Sequence, residues 1–277
     1  MFQQAYKKTI IILAIFNLSA CSVVGGLWYE RLDRFIANQF LEYATFSIAQ
    51  ENYIRKATEE FKRWNAKNEL PEYKKLLLTL RLLDSTTRVD DIDDIYQKGM
   101  MFGNRSRDFF VPYMVELCSK LTNQQVEEIA IHFDGLMEER RLELDNERKS
   151  FQAALEKSFV RFFRLLGVRL NNEQKNTVRL LSSDLEDTRH ELINDRIKWN
   201  QQFVAILDLR QEKNFKQILT DHINSLGSED KNTRMVINQI TAEIIASLDE
   251  KQRARFQKRL GVFETSIDQI LAKNLSL

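Results

Sequence analysis

Apolar residues recur at helical spacing along most of this chain. Trp28, Leu32, Phe35, Ile36, Phe40 and Tyr43 form a first stripe. Val126, Ile129, Phe133 and Leu136 form a second, and Val178, Leu185, Leu192, Trp199 and Ile206 a third at strict sevens. Phe256, Leu260, Phe263, Ile267 and Ile270 form a fourth. Such stripes are the seams of a helix bundle. Polar punctuation agrees with them. Four segments carry a small polar residue, two further residues and a glutamine: Ser47-Ile48-Ala49-Gln50, Thr122-Asn123-Gln124-Gln125, Asn171-Asn172-Glu173-Gln174 and Asp249-Glu250-Lys251-Gln252. An apolar residue precedes each: Phe46, Leu121, Leu170 and Leu248. This is the capping box with its hydrophobic staple, so four helix starts are predicted.

Further helices are expected from Pro71 to Leu83, Asp91 to Phe102, about Arg107 to Lys120, and Thr233 to Ser247. Gly103-Asn104, Gly167 and Gly227 read as helix ends. Pro112 sits early in its helix or kinks it. The expected fold is all-α, a bundle of seven to nine helices. Boxes one and three lie 124 residues apart, and boxes two and four 127. That spacing suggests two similar halves, 27–167 and 168–277.

Composition narrows the class. Eight Gly and two Pro are too few for the turns of a β-sandwich or barrel. A hydrophobic share of 43% with balanced charge excludes a disordered chain. Lys+Arg 41 against Asp+Glu 40 leaves no basic excess for nucleic acid.

The N-terminus reads as an address. Lys7 and Lys8 precede a ten-residue, largely apolar run, Thr9 to Leu18. That run is too short to span a bilayer and suits a signal peptide. Leu18-Ser19-Ala20-Cys21 then resembles a bacterial lipobox. The resemblance implies cleavage after residue 20, lipid on the Cys21 sulfur, and acylation of the new amino group. Several acyl chains make such an anchor stable. Ser22 in place of aspartate implies the outer membrane of a Gram-negative bacterium, with the body facing the periplasm. The expected domains are therefore a signal at 1–20, a short tether at 21–26 and a helical body at 27–277. Cys118 would be the one thiol left after lipidation, and its apolar setting reads as core.

Other pieces carry a wider resemblance. They are Tyr29-Glu30-Arg31-Leu32-Asp33, Trp64 with Glu69-Leu70-Pro71-Glu72-Tyr73 after it, the boxes, and Trp199 in a long basic-acidic helix. With the lipobox they resemble an uncharacterised family of helical proteobacterial lipoproteins over most of residues 21–275. That likeness implies location and fold, and no activity. Leu121-Thr122-Asn123-Gln124-Gln125 is also similar to the Leu-Thr-x-x-Gln motif of small periplasmic chaperones, which cradle unfolded clients. The other three boxes depart from it at the threonine, and helix capping alone explains all four.

The search for chemistry yields little. His132, His190 and His222 form no metal-binding spacing. Glu186 and His190 share a helical face with Asp187 beside them, which reads as a solvated face. Asp90-Asp91-Ile92-Asp93-Asp94 lacks the pattern of a calcium loop and suits a helix's first turn. Phosphate loops and nucleophile elbows are absent from the sequence. An enzyme, a metal site and a cofactor are not expected.

One segment stands out. Ser158-Phe159-Val160-Arg161-Phe162-Phe163-Arg164-Leu165-Leu166 is aromatic and basic. It reads as a core helix whose arginines reach outward, or as a groove. In the groove reading Phe159, Phe162 and Phe163 hold apolar peptide or lipid, and Arg161, Arg164 and Arg169 line the rim. A second candidate is a membrane-proximal face of Trp28, Leu32, Phe35 and Phe40, which would pack on the bundle or touch headgroups. The expected function is a non-catalytic envelope adaptor or chaperone-like protein. The alternatives are an assembly lipoprotein with one dedicated partner, or a lipid handler. The expected partners are the membrane, through Cys21, and an envelope protein or unfolded client.

Overall fold

The computed structural model describes residues 28–147, 150–226 and 230–275. All regular structure among them is helical, without strands. A single turn at 28–30 precedes eleven helices. They are α1 (Leu32–Leu41), α2 (Ile48–Asn68), α3 (Leu70–Arg81), α4 (Val89–Cys118), α5 (Asn123–Asp145), α6 (Phe151–Leu165), α7 (Asn172–Leu181), α8 (Arg189–Asp208), α9 (Phe215–Asn224), α10 (Lys231–Ala246) and α11 (Glu250–Leu275). The all-α class holds, but the expected seven to nine helices are too few.

Three local features account for the difference. The heptads from Val178 to Ile206 do not follow one helix. α7 stops at Leu181, and the polar run 182–188 intervenes before α8. Ser182 and Ser183 turn their hydroxyls back to the carbonyls of Arg179 and Leu180, as serine does where a helix ends. Leu192, expected on the seam, is 55% exposed. The short α9 has its own apolar stripe, Phe215, Leu219 and Ile223, which the sequence reading leaves out. In the opposite sense, Gly103-Asn104 ends nothing, because α4 runs through both and through Pro112. Phe109 and Phe110 pack against Phe61 there. That packing outweighs the ~1 kcal/mol cost of a helical glycine. Pro112 is exposed, so water can satisfy the carbonyl one turn earlier.

Gly167 does end its helix. Its φ of 81° is left-handed, and the Val168 amide bonds back to the Phe163 carbonyl at 2.8 Å. An added Cβ would lie 3.0 Å from the Arg255 carbonyl oxygen. The third proposed glycine end, Gly227, lies outside the described residues, as do the signal, the tether and Cys21.

Two apolar cores form. The larger draws Phe61, Leu70 and Leu77 from α2 and α3, and Phe159 and Phe163 from α6. It adds Ile240 and Ile244 from α10, and Phe256, Leu260 and Phe263 from α11. The smaller joins Val111, Val115 and Cys118 at the end of α4 with Val126 and Ile129 of α5, Phe203 and Leu207 of α8, and Phe215 and Leu219 of α9. Each core takes residues from both sides of Gly167. α4 spans them, giving Ile92 to the first and Val115 to the second.

The α2–α3 corner rests on a polar network. Glu69 is buried, and its carboxylate takes both arms of the Arg105 guanidinium at 2.7 and 2.8 Å. Beside it the Tyr29 hydroxyl donates to Asn65 Oδ1 at 3.0 Å, and the Asn65 amide donates to the Tyr73 hydroxyl. Burial pushes the Tyr73 phenol up to about 12.

Candidate functional site

All four predicted boxes close. Ser47, Thr122, Asn171 and Asp249 each accept from the amide three residues on. Each glutamine Oε1 accepts in return from its own N-cap amide, at 2.9 to 3.1 Å. Capping uses only part of each glutamine. Gln50 and Gln125 also donate to one another's Oε1, at 3.1 and 2.7 Å. Gln174 and Gln252 do the same, at 3.1 and 3.0 Å.

The second N–H of each amide finds an equivalent acceptor, a main-chain carbonyl two residues before the partner's N-cap. Those carbonyls belong to Lys120, Thr45, Ser247 and Arg169. Two helix starts are thus locked head to head by a ring of side-chain amides, once between α2 and α5 and once between α7 and α11. The staples sit beneath these clasps. Leu121 and Phe46 join the smaller core, and Leu170 and Leu248 the larger. Every donor and acceptor of the four amides is used, so the arrangement offers a ligand nothing. Its role is to fix helix positions.

The aromatic–basic segment is α6 and its exit. Phe159 and Phe163 are buried in the larger core, Phe163 completely. Phe162 is half-buried and meets Phe163 edge-on at 5.4 Å. Phe159 and Phe163 fill the bundle and Phe162 lies at its edge, so two of the three rings proposed for the groove are inside the core. Arg161, Arg164 and Arg169 are exposed around this closed surface. α6 is amphipathic: it turns Phe159 and Phe163 to the core and Arg161 and Arg164 to solvent.

The membrane-proximal stripe also turns inward. Leu32 is buried, and Trp28 and Ile36 pack on the larger core. Phe40 packs at a tilt against Phe110, with ring centroids 5.6 Å apart. Phe35 alone stands out, 53% exposed, with its ring 6.2 Å from Trp28. Two ion pairs fix its N-terminal part: Lys62 to Asp33 at 2.7 Å, and Lys273 to Glu30.

The titratable candidates are engaged elsewhere. Burial pushes the Cys118 thiol up to about 12, so it stays protonated at neutral pH. His222 stacks on Trp199 at 4.5 Å, and the Trp199 indole N–H donates to the His222 carbonyl. His190 lies 3.6 Å from Asp145, and Glu186 and Asp187 flank α8 outside any shared site. In the acidic run, Asp91 caps the Arg88 amide and Asp93 accepts from Asn238. Among the described residues, no cluster of three metal-binding side chains forms. Nor does any described helix have the length and apolarity to cross a membrane. A shallow open depression of about 300 Å³, lined by Leu78, Arg81, Leu82 and Gln257, marks the α3–α11 surface.

A family model described as a family of unknown function, DUF6279, matches residues 42–232. The match begins after α1 and stops at the start of α10. It therefore includes the clasp between α2 and α5 but only one half of the other. Neither a curated protein nor a solved structure matches the chain.

Proposed function

Because the chain belongs to this family of unknown function, we propose its role from its own architecture: a lipid-anchored envelope protein that holds one dedicated partner close to the membrane. The anchor is the thiol of Cys21 within Leu18-Ser19-Ala20-Cys21. The membrane is the outer membrane of a Gram-negative bacterium, and the helical body faces the periplasm. The role is non-catalytic.

One observation carries this reading. The first described turn begins seven residues after Cys21 in sequence, and it is locked into the bundle at once. Tyr29 and Leu32 are buried, and Lys62 and Lys273 pair with the acids beside them. A lipid at Cys21 would therefore hold the whole bundle near the headgroups at a restricted height. That suits a fixed assembly point better than a roaming chaperone. The chaperone-like reading draws less support, because Phe159 and Phe163, meant to line the groove, are packed inside.

The test is photo-crosslinking in cells with a probe at Phe35 and a control probe at Met235, which is exposed on α10. One dominant protein adduct at 35, dependent on Cys21, is expected. A broad smear of unrelated proteins at both positions would sink the dedicated-partner reading. Loss of acyl labelling in Cys21→Ser is the companion result. Acyl labelling that persists would overturn the anchor.

A further inference from the structure

Two long helices carry outer faces of opposite charge. α5 packs on α8 through Phe133 and Phe203, whose ring centroids lie 5.8 Å apart. Its other side meets solvent. Ile131, Gly135, Glu138 and Leu142 recur there at spacings of four, three and four, which is one face of a helix. Ile131 is 64% exposed and Leu142 50%. Acids surround the two: Glu127, Asp134, Glu138 and Glu139 are all exposed. Among the described residues, none of these four enters an ion pair.

α11 starts at a capping box as α5 does, and it packs on α3. Arg81 pairs there with Glu264 at 2.9 Å, and Lys74 with Asp268 at 2.6 Å. The outer face of α11 is basic over its first turns. Lys251, Arg255 and Lys258 are exposed, and none of them enters an ion pair among the described residues. Glu250 is the one acid in that stretch. Ala254 and Gly261 keep the face low, and a Cβ on Gly261 would meet nothing within 4 Å. α3 adds exposed Leu78 and Leu82 around the open depression of about 300 Å³. Leu82 is 81% exposed.

The two faces match. One offers two apolar knobs among acids, and the other a shallow apolar depression beside bases. α5 lies over the smaller core and α11 over the larger, so one molecule carries both. We propose that the outer face of α5 docks on the α3–α11 face of a second copy of this chain. Such a contact is heterologous, so copies join head to tail. Its apolar area is small, and opposite charge steers and orients it. The contact is independent of the anchoring reading above. The competing account is two solvated helix faces that never meet.

The test is sedimentation equilibrium of the full chain in neutral detergent, with micelles in excess over chains. The mass should rise with protein concentration at low salt, and about 0.5 M salt should weaken association at least tenfold. Glu138→Lys/Glu139→Lys and Arg255→Glu/Lys258→Glu should each stay single. Mixed together, they retain one intact pair of faces, so a one-to-one dimer and nothing larger is expected. The chain with all four reversals should associate again, which also shows that its fold is intact. Should a reversal lower the thermal midpoint, Leu82→Ser decides. It should weaken association at least tenfold at an unchanged midpoint. A single chain per micelle up to about 0.5 mM protein overturns the proposal. So does association that survives either reversal. In cells, a photo-probe at Ile131 should give an adduct of twice the chain mass. An adduct with a different envelope protein alone would assign the α5 face to that protein and overturn self-association.

Discussion

The two glutamine clasps share one hydrogen-bond pattern and differ in their surroundings. In the clasp between α7 and α11 both glutamines are buried, over the larger core. In the clasp between α2 and α5 Gln125 is buried but Gln50 is half-exposed, over the smaller core. Identical bonds therefore differ in what replaces them when they break. Water can serve Gln50's partners. It cannot readily reach those of Gln174 and Gln252, so each loss there leaves an unpaired buried group. The pair teaches that a motif fixes geometry, while burial fixes its energetic weight.

That contrast can be tested at several points. The largest effect concerns Cys118, under the α2–α5 clasp. With its thiol pushed up to about 12, alkylation near pH 8 should run about a thousandfold slower than in the unfolded chain. Gln125→Leu should speed that labelling and Gln252→Leu should not, if each clasp guards only its own core. Equal acceleration would merge the two into one cooperative unit.

Next come the clasps themselves. Gln252→Leu leaves the Asp249 amide, the Arg169 carbonyl and part of Gln174 unpaired. A cost of about 3 kcal/mol is expected in urea unfolding, against about 1 for Gln50→Leu. The double variant Gln174→Leu/Gln252→Leu should cost less than the two singles together. Equal costs at positions 50 and 252 would break the comparison.

Two glycines give a smaller contrast of the same kind. Gly167→Ala, beside the buried clasp, forces a left-handed φ and a close approach, and should cost about 1–2 kcal/mol. Gly135→Ala, on α5 with open space around it, should gain about 0.5–1 kcal/mol. The smallest effect belongs to the surface of the lesser core. Lys120 and Lys216 hold the Glu116 carboxyl down at about 2. A lowered folded pKa stabilises above the ordinary carboxylate range and is lost as pH falls toward 2. Glu116 is half-exposed, so Lys216→Met should shift the acid midpoint slightly, and about 1 M salt should erase the difference.

The helix starts were legible because capping is local. A small polar residue and a glutamine three positions on suffice to write it. The pairing of the boxes was not legible, since it joins residues 75 and 78 apart and depends on the whole bundle. The Val178 to Ile206 heptads misled because their spacing runs across a break, after which α8 turns Phe203 and Leu207 inward and leaves Leu192 exposed. Gly103 misled because tertiary packing overrode propensity. The aromatic–arginine segment could not be sorted from sequence, since a buried helix and a lined groove have one composition.

The closure of the turn at 28–30 against α11 has a consequence in time. Glu30 pairs with Lys273, 243 residues later, and α3 waits for the same last helix, Lys74 bonding Asp268 at 2.6 Å. A chain appears N-terminus first, at about 5–20 residues per second. The first helices must therefore stand uncovered for some tens of seconds before their final neighbour exists. Whatever shields nascent chains has to hold this one from its opening turn almost to its end.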